Sequence, residues 1–205
     1  MSLSNPADKN GEGINNPDTH LEGYQITEGP KHVRRDAKVN NQLGEFLVTT
    51  IKADRLLVPT AKSLTGPVDP PNPDSHNVDH FKCYKVKVTK GAPKFPKGIQ
   101  ATVGDQFTDP PKVFDLKKPA HLCTPVNKEG EGIKNPDAHL TCYQVKPAKE
   151  QPKHQQRLGI FVNNQFGPGQ VDTSREEELC VPSTKTLIGA SLDTESADAD
   201  VEEDE

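Results

Sequence analysis

His80 and His139 each stand three residues before a cysteine, in His80-Phe81-Lys82-Cys83 and His139-Leu140-Thr141-Cys142, and two further cysteines, Cys123 and Cys180, complete the set. Histidine and cysteine together suggest either a metal centre or a disulfide framework. A structural zinc site needs four ligands and draws them from close pairs such as Cys-x-x-Cys. No such pair is present. On a strand, residues three apart point to opposite faces. A metal site is therefore not expected, and His20, His80 and His139 read as strand-end histidines.

The cysteines fall instead into an internal repeat. The heptad His139-Leu140-Thr141-Cys142-Tyr143-Gln144-Val145 occurs earlier as His80-Phe81-Lys82-Cys83-Tyr84-Lys85-Val86 and as His20-Leu21-Glu22-Gly23-Tyr24-Gln25-Ile26. Recurrence at a fixed period outranks other fold signals. Each copy closes on a second element: Leu122-Cys123-Thr124-Pro125, Leu179-Cys180-Val181-Pro182 and, in the first copy, Leu56-Leu57-Val58-Pro59. The first copy lacks both cysteines together, having Gly23 and Leu57 in their places. Four cysteines allow three connectivities. The repeat frame favours Cys83–Cys123 and Cys142–Cys180. The competing reading is four reduced thiols in a cytosolic protein.

A second recurrent element is polar. Val39-Asn40-Asn41-Gln42-Leu43 returns as Val162-Asn163-Asn164-Gln165-Phe166 and, more loosely, as Val103-Gly104-Asp105-Gln106-Phe107. Asn40, Asn41, Asn163 and Asn164 could recognise a glycan or peptide through bidentate hydrogen bonds. They could equally close a turn on their own backbone, which is the favoured reading. Calcium is a further candidate ligand through Asp18, Asp74, Asp137 or the acidic tail, but no EF-hand-type loop is present. His32 and His154, beside Pro-Lys, read as exposed loop residues.

These residues need short strands to position them. Alternation within the heptad puts Leu140 and Cys142 on one face, against His139, Thr141, Tyr143 and Val145. Nineteen prolines and fifteen glycines disfavour long helices. The expected fold is all-β: tandem small antiparallel β-sandwich or barrel-like units, disulfide-stapled. Prolines such as Pro59 are expected to end strands. The organisation reads as a cysteine-free unit over 5–66, a Pro-rich linker over 67–78, a second unit over 79–125, a third over 126–189 and a disordered acidic tail over 190–205. Such small units bury little core unaided and commonly need staples. A bridge closing about 40 residues contributes roughly 3–4 kcal/mol, so the first unit is expected to be the least stable.

Composition excludes several classes. Apolar residues are 31% of the 205, with no Trp, and the net charge is −5. The acids are concentrated from Ser191 to Glu205, which suits a solvated tail. No window is apolar enough to span a membrane. No nucleophile elbow, zincin or phosphate-loop motif is found, and no basic-aromatic stripe for nucleic acid. An enzyme is not expected, and neither is a cofactor. The N-terminus shows no signal-peptide pattern, so an extracellular protein would here be a mature form or a fragment.

The run Asp79-His80-Phe81-Lys82-Cys83-Tyr84-Lys85-Val86, closed by Leu122-Cys123-Thr124-Pro125, resembles an uncharacterised repeat domain of bacterial secreted and surface proteins. Residues 138–182 follow the same pattern, and 5–66 resemble a divergent copy. The resemblance implies a secreted or cell-surface location and a tandem, disulfide-bearing β-module. Its function would be that of a spacer, stalk or adhesion component, with other surface proteins or copies of itself as partners. The alternative is a ligand-binding module for glycan, peptide or calcium.

Overall fold

The computed structural model describes residues 1–189; the acidic tail expected over 190–205 lies outside the described residues. Twelve strands form the fold: β1 Ser2–Ser4, β2 Asp8–Lys9, β3 His20–Gln25, β4 Asp36–Asn41, β5 Gly44–Ser63, β6 Phe81–Val88, β7 Gln100–Asp105, β8 Thr108–Pro125, β9 His139–Pro147, β10 Ile160–Asn164, β11 Gly167–Val171 and β12 Glu178–Ile188. Every pairing is antiparallel. Among the described residues one 3-10 turn, Pro73–Ser75, interrupts the Pro-rich linker. Among the described residues no helix is long and apolar enough to cross a membrane.

Each unit is one long β-hairpin whose first arm is interrupted. In the first unit β4 and β3 lie end to end along β5, pairing with residues 44–49 and 55–60. Residues 26–35 leave the arm and return to it. Hydrogen bonds from Ile26 N to Asp54 O and from Thr50 N to Arg35 O, both 2.9 Å, carry the ladder across the gap. The third unit repeats this with Val145 N to Glu177 O at 3.0 Å and Thr173 N to Arg157 O at 2.9 Å. His32 and His154, expected as exposed loop residues, fold back onto Thr50 Oγ1 at 2.8 Å and Thr173 Oγ1 at 2.7 Å. A Thr hydroxyl in the opposite arm gives each imidazole a partner, and so pins the excursion.

The hairpin tips explain the recurrent Val-Asn-Asn-Gln element. Asn41, Asp105 and Asn164 are the last residues of their first arms, and each accepts the N–H two residues on, from Leu43, Phe107 and Phe166, at 2.9 Å. This side-chain turn needs Asn or Asp. The following Gly44 and Gly167 have φ of +121° and +104°, where a side chain would be strained.

The second arms run further than the sequence suggests. β5 is 20 residues long and passes through Pro59, and Pro182 lies within β12. Pro59 is tolerated because the ladder beside it has already stopped, and Pro182 because the β12–β4 ladder begins only at Thr184. β6 leaves β5 at Leu57, so the missing N–H of Pro59 falls at an edge.

The hairpins join in one sheet. β6 pairs with β5, and β9 with β8, so the first arm of each later unit lies along the second arm of the unit before it. The ends then meet: β12 pairs with β4, closing a ring β5–β6–β8–β9–β12–β4–β5. β10 in turn pairs with the end of β5. Registers repeat throughout. Val39 lies opposite Lys185, Val162 opposite Lys62 and Val103 opposite Lys9. Those three lysines end the Pro-x-x-Lys sequences Pro6–Lys9, Pro59–Lys62 and Pro182–Lys185, and Pro125–Lys128 is a fourth of the same form. Ser2–Lys9 thus occupies on the first hairpin the place that a preceding unit's second arm occupies on the others. Ser4 opposite Leu21 matches Cys123 opposite Leu140.

Candidate functional site

The two disulfides are Cys83–Cys123 and Cys142–Cys180, each joining directly opposed residues of the two arms of one hairpin. No described cysteine is free. Gly23 and Leu57 face each other at the same position of the first hairpin. Leu57, 3% exposed, packs into one cluster with Phe81, Cys83, Cys123 and Cys142. The leucine side chain thus fills the volume a half-cystine takes up in the other units. Cys142, Cys180 and Glu178 lie close enough to resemble a metal cluster. Sulfurs joined in a disulfide are not thiolate ligands, so this group cannot act as one.

On the opposite sheet face the tips of the first and third hairpins reach across to each other. The Asn41 amide donates to the Tyr143 hydroxyl at 2.9 Å and to Ser183 Oγ at 3.0 Å. The Asn164 amide donates to the Tyr24 hydroxyl at 2.9 Å, to Glu22 Oε2 at 2.7 Å and to Thr60 Oγ1 at 3.2 Å. Tyr24 corresponds to Tyr143, and Thr60 to Ser183, so the brace is reciprocal. One carboxamide serves both ends: its oxygen closes its own turn while its nitrogen binds the other unit. Glu22, Thr60 and Asn164 are buried, and hydrogen bonds between buried polar groups hold a unique arrangement. Burial raises the Tyr143 phenol above its ordinary pKa, against the lowering effect of the Asn41 amide.

The other polar candidates are placed as follows. Asn163 donates to Val68 O at 2.9 Å, tying the linker to the third tip. Asn40 is exposed. Of the candidate calcium ligands, Asp18 and Asp74 lie in exposed Asx turns capped by Asn16 and Asn72, as Asp137 does by Asn135. His20 and His139 are buried strand-start residues whose Nδ1 atoms have no partner. Burial first, then the Lys62 charge, lowers His20 to about 4, with Asp105 opposing; burial and Lys185 lower His139 in the same direction.

A cavity of about 800 Å³ opens beside the disulfides, and residues 1–7 and 171–182 both contribute to its lining. Arg55, His121 and Glu178 stand on its wall. His121 Nδ1 lies 2.7 Å from Glu178 Oε1, and its Nε2 lies 2.9 Å from Asp54 Oδ2. Arg55 reaches Glu178 at 3.3 Å, and Lys85 reaches Asp54 at 3.2 Å. Burial alone would raise Asp54; Lys85 and His121 outweigh it and hold the carboxyl below its usual range. This cluster takes side chains from all three units. Sequence reasoning missed it, although a signal was present. Arg55, His121 and Glu178 each stand two residues before the second cysteine position, and one repeat position has diverged into complementary groups. Both imidazole nitrogens face carboxylates, so the arrangement joins units and leaves neither nitrogen facing the cavity as a base.

These features define a protein of β-hairpin repeats, two of the three bridged within the unit, and braced between units. The profile of a repeat of unknown function, DUF7450, matches residues 20–182. The chain belongs to this repeat family. No curated protein and no solved structure matches it.

Proposed function

We propose that this chain is a non-enzymatic structural repeat module, secreted or at a cell surface of bacterial origin, acting as a spacer, stalk or surface-assembly component. The reading is carried by the reciprocal Asn41–Tyr143 and Asn164–Tyr24 bonds. The most distinctive recurrent side chains of the sequence are used to join units. The location is supported by the disulfides, which persist in oxidising compartments. The mechanism is shape retention: bridges restrict the second and third unfolded hairpins, and the brace between the first and third, with the β5–β6 and β8–β9 ladders, makes three small units unfold as one.

Intact mass and non-reducing peptide mapping of protein purified without reductant test the location. Two within-unit bridges are expected; four free thiols or links between units would sink it. Urea unfolding, followed by amide exchange in each hairpin, tests the mechanism. A single shared transition is expected, and three separable transitions would overturn it.

A further inference from the structure

The second arms of the three hairpins differ in one respect. β5 and β8 run unbroken for 20 and 18 residues. Residues 48–57 of β5 carry β6, and residues 114–123 of β8 carry β9. In the third hairpin the same arm is broken. β11 ends at Val171, β12 begins at Glu178, and residues 172–177 between them form no strand. Aligned on Cys180 and Leu57, residues 172–177 correspond to 49–54, within the stretch where β6 docks on β5. Among the described residues, no further strand pairs with this stretch. An extended segment with no neighbour to complete its ladder loses strand geometry there and keeps it on both sides.

The opposite edge of the gap is also defined. β6 lies between β5 and β8, and β9 between β8 and β12. A first arm therefore sits between the preceding unit's second arm and its own. Ser2–Lys9 has the position and register of a second arm, with Ser4 in the half-cystine place. Both edges, residues 1–7 and 171–182, contribute to the lining of the same cavity.

We propose that this cleft takes in the first arm of a further unit of the same repeat, carried by a second polypeptide chain, which pairs with residues 171–180 on one side and with β1 on the other. The recognition is strand addition to exposed edges, continuous with the β5–β6 and β8–β9 junctions. The arm would place small or apolar residues toward the cavity, as Phe81 and Cys83 do. Charge supplies the rest. At the β5–β6 junction Lys85 bridges Asp54 at 3.2 Å, and Glu177 is the Asp54 counterpart in the third hairpin. An arm with a lysine at the Lys85 position matches it. Tyr84 fits the same picture: it is the one heptad tyrosine with no tip asparagine on its hydroxyl among the described residues. A fourth hairpin's tip would supply that asparagine. The inference rests on the structural-module reading and names the partner for it.

The test uses the full chain and a synthetic peptide of residues 79–88. Amide exchange should slow at residues 172–178, saturably with peptide, and a scrambled peptide should give no protection. Glu177→Lys should weaken binding about fivefold. In a Ser4→Cys variant, peptide carrying Cys83 as an activated mixed disulfide should be captured at position 4, and a Ser2→Cys variant should capture far less. No protection at 172–178, equal protection by the scrambled peptide, or equal capture at positions 2 and 4 would overturn the proposal. None of these results would disturb the bridge mapping or the shared unfolding transition, which test the module reading separately.

Discussion

Asn41 and Tyr143, 102 residues apart, are joined by a 2.9 Å hydrogen bond that Asn164 and Tyr24 repeat with the roles of the units exchanged. Such a bond can form only after both hairpins are built and the sheet has curled. It therefore reports assembly of the units, and its loss should be felt in both.

Removing Asn164 should cost more than removing Asn41. Asn164 is the amide partner of the buried Glu22 carboxylate, and leaving a buried charged group without its partner costs about 2–3 kcal/mol. Asn41→Ala loses bonds to two hydroxyls, about 1–2 kcal/mol. Urea midpoints of the two alanine variants give the order. A double-mutant cycle of Asn41→Ala with Tyr143→Phe should show coupling.

Thr141 should be a site of easy stabilisation. Its hydroxyl is buried with no partner, and it stands where Glu22 meets Asn164 in the other half of the brace. Thr141→Val removes the orphan group at nearly constant shape. An increase of about 1 kcal/mol in unfolding free energy is expected; an equal loss would show that the hydroxyl has a partner in solution.

Gly23→Ala should act on the N-terminal strand. An added Cβ would stand 2.3 Å from Ser2 Oγ and 3.1 Å from Leu57 Cδ2. The serine near the chain end yields more readily than the packed leucine. Amide exchange in residues 2–4 should rise about tenfold or more while β5 remains protected. Unchanged exchange in β1 would contradict the packing described.

His20 makes stability depend on pH. Its pKa is about 4 in the folded chain against 6.5 when exposed, so between these values the unfolded chain binds more protons. The contribution is complete above pH 6.5 and is lost as pH falls toward 4. Asp54 and Glu176, held low by cationic partners that outweigh their burial, lose theirs at still lower pH. Urea midpoints of the parent chain and His20→Gln, compared from pH 7 to 4, should show the variant flatter.

Breaking one bridge should cost a large part of the fold's stability. Cys142 and Cys180 close a separation of 38 residues, for which restriction of the unfolded chain gives about 3–4 kcal/mol. The Cys142→Ala, Cys180→Ala double variant should lower the urea midpoint accordingly, and a change below about 1 kcal/mol would place the stabilisation elsewhere.

Much of this was legible in the residues. The heptads gave the alternation, and paired loss of cysteines at Gly23 and Leu57 gave the bridging pattern that the structure contains. The joining of units was not legible. A turn-closing role accounts for Asn41 locally, and nothing local says that its second polar atom reaches Tyr143. Pro59 reads as a strand end because the position of the neighbouring strand, which makes proline tolerable, is a tertiary fact. Arg55, His121 and Glu178 look unrelated until the repeat is laid around a ring and their one shared position becomes one place in space.

Both bridges link the arms of a single hairpin, and none crosses from one hairpin to the next. A pull along the chain therefore cannot draw out the residues between Cys83 and Cys123, or between Cys142 and Cys180, roughly 130 Å of contour each at full extension. The first hairpin, with glycine facing leucine, has no such stop and can pay out its entire length. Under tension the molecule is a short extensible leader in series with two segments of fixed reach.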